Sequence, residues 1–313
     1  MTDIKTVASF LKSRDYFLIL SHASPDGDTV GSAYALCHAL HKIGKKAKVE
    51  CADEIPNRYS YLTDPVEKQQ FEHKTVVSVD VADTKLLGKL DSVYGDKIEL
   101  AIDHHGSNKL YAELSYVNPV AAANCENVFD VICELGVEID TVIADNLYTG
   151  IVTDTGCFKY QNTTARTHML AARLIELGAH HYEINRIMFD TKSFGRLQVE
   201  RLAIDSIEMH FNNRCALMTI TKEMQKMATQ DELEGITPIP RQIEGVIVGV
   251  TIREKSDGKY KCSVRTHEPV DASAICALLG GGGHNRAAGC EIIGTLDEAK
   301  KKILAAVESY LGE

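Results

Sequence analysis

The sequence predicts an α/β protein: a doubly wound parallel sheet in the N-terminal domain, and a smaller mixed α+β C-terminal domain across a cleft. Three observations support this. The 313 residues are enough for two domains. The first half alternates β-rich runs with helical stretches, which is typical of a parallel sheet covered on both faces. Later strands follow one another without long helices. We therefore expect domains at 1–186 and 212–313, joined by a connecting helix and linker at 187–211.

The elements were assigned from apolar runs and their periodicity. In the N-terminal half, strands are predicted at 17–21, 46–51, 76–81 and 98–102, and helices at 33–43, 125–135, 141–152 and 164–186. In the C-terminal part, strands are predicted at 215–221, 243–253 and 260–266, and helices at 271–279 and 296–311. A glycine-rich loop is expected between the last two helices.

Composition excludes several classes of protein. Lys and Arg number 34 against 44 Asp and Glu, so the formal net charge is −10 and a surface-wide basic footprint for duplex nucleic acid is excluded. No apolar run reaches the roughly 18–20 residues of a membrane span. The N-terminus carries charges where a signal peptide is apolar. The nine cysteines form no C-x-x-C pair and indicate a reducing compartment. We expect a cytoplasmic protein.

Residues able to bind metal follow the predicted strands. They are His22, Asp26 and Asp28 after the first strand, Asp80 at 76–81, the run Asp103, His104 and His105 after 98–102, and Asp154 after the helix at 141–152. Because ligands of parallel sheets bind at the carboxyl ends of the strands, we expect these side chains to converge. Each residue alone is more often a helix cap or a turn residue. Their coincidence on four segments favours a metal site.

Clustered aspartates need positive charge nearby, because buried carboxylates repel one another and are costly to desolvate. Two divalent cations would balance four aspartates. Mixed carboxylate and imidazole ligands suit Mn²⁺, Fe²⁺, Co²⁺ or Zn²⁺ better than Ca²⁺. With one bridging aspartate, the six residues could hold two metals about 3.5–4 Å apart, as in two-metal hydrolases.

A glycine-rich segment gives a second candidate site. Four consecutive glycines at 280–283 precede His284 and Arg286, and Arg265 and Thr266 lie upstream. Exposed backbone N–H groups bind anions, and arginine pairs with phosphate through two N–H groups. A flexible hinge with two surface cations explains the segment equally well by itself. Beside a metallohydrolase domain, phosphate binding is the better interpretation.

The sequence resembles the DHH phosphoesterase family. The matching motifs are SHASPDGDTVGS, VDVAD, AIDHHG and VTDTG, and the tail VRTHEPVDASAICALLGGGGHNRAAG is similar to the DHH-associated domain 1. The overall size is similar to that of the nanoRNase A type, which degrades very short RNAs and dephosphorylates 3′-phosphoadenosine 5′-phosphate (pAp). Related members cleave cyclic di-AMP or its linear product pApA.

The resemblance implies a role for each matching residue. One metal would be held by His22, Asp26 and Asp80, and the other by Asp28, Asp80, His104 and Asp154. His105 would face the scissile phosphate, with Asp103 supporting it. The far phosphate or nucleotide would be bound by Arg265, Thr266, Gly281, Gly282, Gly283 and His284, and Arg286 stands at a variable position beside them.

The expected function is a Mn²⁺-dependent phosphoesterase that hydrolyses short oligonucleotides and nucleotide bisphosphates by attack of a metal-activated hydroxide. Mg²⁺, Co²⁺ and Fe²⁺ are alternative ions. No long duplex nucleic acid and no membrane is expected as a partner, and a homodimer is expected from the resemblance alone. Two alternatives stay open: an inorganic pyrophosphatase or exopolyphosphatase, and a sensor that binds a dinucleotide without cleaving it.

Overall fold

A computed structural model describes residues 1–256 and 258–311. The chain divides into two compact units, Met1–Thr191 and Lys192–Glu313, and each is described by itself. None of the helices in the described part of the chain combines the length and the apolar composition needed to cross a membrane.

The first unit contains a five-stranded sheet in which every pairing is parallel. Its strands are β1 (Phe17–Leu20), β2 (Ala47–Glu50), β3 (Thr75–Val79), β4 (Leu100–Asp103) and β5 (Leu114–Val117), in the order β2-β1-β3-β4-β5. The predicted parallel sheet is confirmed. The edge strand β5 was not predicted, because a short run of mixed polarity carries little periodic signal.

The strand order places a crevice beside β1. The chain passes from β1 to β2 on one side and returns to β3 on the other, so the order reverses between β1 and β3. Ligands of such sheets bind at this switch point, outside the carboxyl ends of the strands. The register pairs Leu20 with Ser78 and Val79 with Ile102, so the residues after β1, β3 and β4 begin at the same edge.

The helices of the first unit are α1 (Ile4–Ser13), α2 (Gly27–Lys42), α3 (Ser60–Thr63), α4 (Asp91–Tyr94), α5 (Asn124–Leu135), α6 (Thr141–Asp154), α7 (Ala165–Glu176) and α8 (His181–Asn185). Helix α1 was not predicted, and α2 begins six residues before the predicted start at 33. The Asp26 side chain caps α2, and this capping starts the helix inside a segment that was interpreted as a turn. The helix predicted at 164–186 is interrupted at Gly178, where φ is +99°.

Glycines bring α2, α5 and α6 close together. A Cβ atom on Gly27 would lie 2.4 Å from Thr153 Oγ1, and one on Gly150 would lie 2.2 Å from Cys125 Sγ. No larger residue fits these crossings without movement of the helices. The apolar faces of these helices pack on Phe17 and Ile19 in the main core, while Leu18 of β1 packs in a smaller core on the other face of the sheet.

The second unit contains a mixed six-stranded sheet in the order β10-β11-β9-β8-β7-β6, in which only the β7–β8 pairing is parallel. Its strands are β6 (Glu208–His210), β7 (Cys215–Ile220), β8 (Val248–Glu254), β9 (Lys259–Thr266), β10 (Gly282–His284) and β11 (Ala287–Ile293). Its helices are α9 (Phe194–Asp205), α10 (Lys222–Gln225), α11 (Gln230–Glu234), α12 (Ala272–Ala277) and α13 (Leu296–Leu311). The predicted mixed α+β architecture is confirmed.

The prediction of a glycine-rich loop was wrong. The segment forms the antiparallel hairpin β10–β11, in which Gly283 pairs with Ala288. The chains approach so closely that a Cβ atom on Gly281 would lie 2.2 Å from the Gly289 carbonyl oxygen. Glycine is therefore required here by strand packing, which a sequence pattern does not distinguish from loop flexibility.

Candidate metal centre and active site

Three of the sheet's strands end at the predicted site. His22 lies two residues beyond β1, Asp80 follows β3 directly, and Asp103 is the last residue of β4. Asp80 adopts φ of +59°, and its backbone N–H donates to the Ile102 carbonyl at 3.0 Å. A left-handed conformation is uncommon for a residue other than glycine and is often found at functional positions. Here it occurs at the residue proposed to bridge the metals.

Backbone N–H groups hold the two aspartates of α2. The Asp26 Oδ1 atom accepts from the N–H groups of Asp28 at 3.1 Å and Thr29 at 3.0 Å. Asp28 is buried, and its carboxylate accepts from the N–H groups of Asn124 and Cys125 at the start of α5. The positive end of α5 thereby fixes a buried carboxylate. Sequence reasoning missed both α5 residues, although the predicted start of a helix was a usable signal.

Asp154 reaches the site from a helix. It is the last residue of α6, whereas the sequence placed it in a segment following the helix at 141–152 and ending at the sheet edge. The helix continues for one more half-turn. The Asp154 Oδ2 atom lies 3.6 Å from His104 Nε2. The close packing of α6 on α2, rather than the end of a strand, brings Asp154 to the site.

Asp80 stands between two histidines. Its Oδ2 atom lies 3.6 Å from His22 Nε2, and its Oδ1 atom lies 3.5 Å from His104 Nε2. The buried Oδ1 atom has no hydrogen-bond partner among the described residues. Three groups of possible ligand atoms result, and within each group the atoms lie within 4.8 Å of one another. They are His22, Asp26 and Asp80; Asp28, His104 and Asp154; and Asp80, His104 and His105, which shares one residue with each of the other two.

The pKa values of these groups reflect their burial and the charges of their neighbours. Burial and then the charges of Asp28 and Asp80 raise the pKa of Asp154 to about 10, and burial and then Asp80 raise the pKa of Asp28 to about 7. Burial lowers the pKa of His22, but hydrogen bonds and charges from Asp26 and Asp80 outweigh it and raise that pKa to about 11. A site that disfavours its own negative charge attracts cations.

The donor set fits divalent metal ions. Carboxylate oxygens mixed with imidazole nitrogens suit the first-row ions, and the buried Oδ1 atom of Asp80, which accepts no hydrogen bond from a described residue, has lone pairs available to a cation. These groups therefore form a candidate site for divalent metal ions.

Asp103 orients His105. It is fully buried, and its Oδ1 atom lies 2.8 Å from His105 Nδ1, while its Oδ2 atom accepts from Asn108 Nδ2 at 2.6 Å. Burial opposes ionisation of Asp103, but these hydrogen bonds outweigh it and lower its pKa. The hydrogen bond to Asp103 raises the pKa of His105, whose side chain is 40% exposed. The Nε2 atom of His105 is thereby left for a ligand. Asn108 was missed by sequence reasoning.

The predicted substrate residues of the second unit lie at one end of its sheet. Arg265 of β9 and His284 of β10 both pair with Ala287, on either side of β11. Two others have structural partners. Thr266 Oγ1 donates to the Asn285 carbonyl at 3.2 Å. Arg286 donates to the carbonyl of Val270 and to Glu268 at 2.8 and 2.9 Å. Gly282 and Gly283 lie in β10 of the same hairpin, and Gly281 directly precedes that strand.

Known proteins share both units. The DHH family N-terminal domain matches residues 16–151, and the DHHA1 domain matches residues 215–313. The bifunctional oligoribonuclease and PAP phosphatase NrnA of Thermus thermophilus is 34% identical over 98% of this chain and 94% of its own length. An exopolyphosphatase-related protein from Bacteroides fragilis superposes with a TM-score of 0.89 at 27% identity, covering 98% and 96% of the two chains. Exonuclease RecJ bound to manganese has the same fold, with a TM-score of 0.59 at 13% identity and coverage of 99% and 94%.

The chain belongs to the DHH family. It is a hydrolase that acts on phosphoester bonds.

Proposed function

We propose that this member of the DHH family hydrolyses short oligoribonucleotides to mononucleotides and removes the 3′-phosphate of pAp, with two divalent metal ions, preferably Mn²⁺. The T. thermophilus relative is named for both activities and aligns along nearly the whole chain. A small charged substrate also agrees with the net charge of −10, because long nucleic acids are bound through many Lys and Arg contacts with phosphates.

The Asp80 carboxylate carries this proposal. Its two oxygens face different histidines at 3.6 and 3.5 Å, and no described residue satisfies the buried Oδ1 atom. A carboxylate so placed suits a bridge between two ions. The first ion would be held by His22, Asp26 and Asp80, and the second by Asp28, Asp80, His104 and Asp154. When bound, such ions lower the pKa of a coordinated water and neutralise charge on phosphoryl oxygens.

His105 would contact the phosphate directly, and Asp103 would orient His105. Neither residue is a proposed metal ligand. Because Asp103 accepts from Nδ1, the His105 ring is fixed, and its Nε2 atom is available to donate to a phosphoryl oxygen. A hydrogen bond from this Nε2 atom would stabilise the negative charge that develops on the phosphoryl oxygens as the phosphoester breaks. Asp103 positions this ring and stays buried itself.

In the second unit, we propose that the β10–β11 hairpin and Arg265 bind the far phosphate or nucleotide of the substrate. Arg265 and His284 supply donors, whereas the Gly281 N–H group already donates to the Cys276 carbonyl at 2.9 Å. Thr266 and Arg286 support the hairpin through the bonds described above. A subsite that accepts one phosphate or nucleotide favours short substrates. Dinucleotides should then be cleaved faster than long strands, and equal rates on both would contradict this role.

The test is hydrolysis by metal-stripped protein with and without added Mn²⁺. pApA, pAp, cyclic di-AMP and pyrophosphate are offered side by side, and products are separated by ion-exchange chromatography. AMP formed from pApA or pAp only after metal addition supports the proposal and ranks the substrates. Phosphate from pyrophosphate alone would identify a pyrophosphatase instead. Tight dinucleotide binding without any turnover would identify a sensor.

A pair of matched variants tests the bridge. Asp80→Asn removes one negative charge at the centre and should abolish turnover while the protein remains folded. Asp145→Asn makes the same chemical change on α6, where the carboxylate bonds His180 at 2.9 Å, and should retain the wild-type rate. Wild-type turnover by Asp80→Asn would refute the bridging role.

A further inference from the structure

A second cleft adjoins the metal centre within the first unit. It has a volume of about 230 Å³ and shares Asp26 and Asp154 with the cleft of about 160 Å³ that contains the histidines. Its other lining residues are Gly27, Arg58, Tyr59, Thr153, Met188 and Phe189. None of these six residues is a proposed metal ligand, and none was predicted from the sequence as a site residue. The shared aspartates place this cleft directly beside the position of the reacting phosphate.

One wall of this cleft contains the guanidinium group of Arg58, which packs on Tyr59 and hydrogen-bonds to it. The Arg58 guanidinium lies 4.8 Å from the centre of the Tyr59 ring, and its Nη2 atom donates to the Tyr59 hydroxyl at 2.7 Å. Tyr59 is itself 1% exposed and packs with Val30 and Leu62 in a small core. Since the core fixes Tyr59, Arg58 keeps its place at the wall before any ligand arrives. Arginine preorganised in this way loses little entropy on binding an anion.

Another wall is apolar. Met188 and Phe189 belong to a single π-helical turn, Arg186–Asp190, which the Thr191 N–H closes on the Arg186 carbonyl at 2.8 Å. Both side chains also pack against the main core, so their positions are fixed. Turns of this type are rare and are frequent at functional sites. An aromatic ring beside a thioether gives a surface on which a flat ring can stack.

The two walls together match the chemistry of a nucleotide. A nucleobase stacks on aromatic side chains, and its phosphate or ribose oxygens accept from a guanidinium group. Arg58 adds a permanent positive charge to the wall of the cleft, and this charge attracts a phosphate. The volume lies below the 300–1,000 Å³ typical of pockets for drug-sized ligands, which suits one nucleoside rather than a dinucleotide.

We propose that this cleft binds the nucleoside adjoining the scissile phosphate, with Phe189 as the platform for its base and Arg58 as the donor to its phosphate or ribose oxygens. This inference rests on the proposed function and assigns part of its substrate specificity. It explains how a centre built to hydrolyse phosphoesters would favour nucleotides over pyrophosphate, which has no base to stack.

The test compares enzyme variants with substrates that lack a base. Phe189→Leu, Phe189→Tyr and Arg58→Ala are assayed with Mn²⁺ on pApA and on two analogues, each missing one of its two bases. Arg186→Ala is the matched control, because it removes an exposed arginine from the same turn outside the cleft. Thermal unfolding of each variant verifies that it is folded.

Phe189→Leu should raise KM for pApA by about fivefold to a hundredfold, the range expected for one lost base stack, with kcat changed less than about threefold. Phe189→Tyr keeps the aromatic ring and should leave KM for pApA near the wild-type value, whereas Arg58→Ala should raise KM. With one of the two analogues, Phe189→Leu should no longer raise KM, because that analogue lacks the base that stacks on Phe189. An equal effect of Phe189→Leu on pApA and on both analogues overturns the proposal.

If the wild-type protein cleaves neither pApA nor pAp, the proposed function fails, and calorimetry with AMP tests the cleft independently. Weaker AMP binding by both Arg58→Ala and Phe189→Leu than by Arg186→Ala supports a nucleotide-binding cleft. Equal affinities of all three variants, or no AMP binding by the wild type, overturn it.

Discussion

Replacing Gly150 with alanine is expected to damage the metal centre without touching a metal ligand. Gly150 lies on α6 against the start of α5. The new Cβ atom would lie 2.2 Å from Cys125 Sγ, 2.9 Å from Cys125 Cβ and 2.7 Å from Asp28 Oδ1. The first two contacts press on α5, whose N–H groups hold Asp28, and the third presses on Asp28 itself.

The magnitude follows from these distances. Non-bonded heavy atoms rest about 3.5–4.0 Å apart, so α5 and α6 must separate by more than about 1 Å at this point. Overpacking of this kind costs about 1–3 kcal/mol of folding free energy. A misplacement of about 1 Å in a catalytic group lowers the rate by about a hundredfold. Gly150→Ala should therefore lose both stability and turnover, with the larger relative loss in turnover.

The assay is a double-mutant cycle with Cys125→Ala. Urea unfolding gives the free energy of unfolding, and AMP release from pApA at saturating Mn²⁺ gives kcat. Cys125→Ala removes the nearest clashing atom, so the double variant should recover part of the stability lost by Gly150→Ala. Its kcat should remain low, because the contact with Asp28 Oδ1 persists. Wild-type stability and kcat in Gly150→Ala would refute the claim that this crossing positions Asp28.

Three further variants test single contacts. Asp103→Asn should lower kcat about ten- to a hundredfold with little change in KM, because His105 loses its charged partner; a purely structural role would instead lower stability alone. Asp140→Ala removes the cap of α6 and should cost about 1 kcal/mol at pH 7 in urea unfolding. Burial opposes ionisation of Asp140, but hydrogen bonds lower its pKa below the unfolded value, so this difference should shrink as the pH falls through the folded pKa; a constant difference would contradict the assignment. Glu234→Ala removes the carboxylate paired with the buried Arg253 and should cost about 1–3 kcal/mol, whereas an unchanged unfolding curve would show that the pair contributes nothing.

The sheet was predictable because β1, β3 and β4 are buried on both faces and form continuous apolar runs. Patterns failed where tertiary contacts decide the structure. The start of α2 depends on the Asp26 cap, and the β10–β11 hairpin depends on a close strand approach that only glycine allows. Both signals occur in the sequence as a turn motif and a glycine run, whose ordinary interpretations are loops.

The candidate site likewise contains residues that the sequence predicts and residues that it does not. The six predicted metal-binding residues are polar residues after apolar runs, and the structure brings them together. Asn108, the N–H groups at the start of α5, and the cleft of Arg58 and Phe189 left no such pattern. Asn108 lies five residues from its partner Asp103, in a loop without periodicity. The α5 N–H groups and the cleft depend on segments distant in the chain that meet through packing, and single-sequence periodicity does not report on such contacts.

The carboxylates of the centre differ in how the protein itself supports them. Backbone N–H groups satisfy both oxygens of Asp28 and one oxygen of Asp26. The buried Oδ1 atom of Asp80 has no such donor among the described residues, and its backbone is held in a left-handed conformation. An unsatisfied buried oxygen costs about 1–3 kcal/mol, more when charged, and a strained backbone adds to that cost. In the proposed bridging position, a cation would coordinate the Oδ1 atom and so offset the cost of leaving that oxygen unsatisfied, while the Oδ2 atom on the His22 side would contact the other cation.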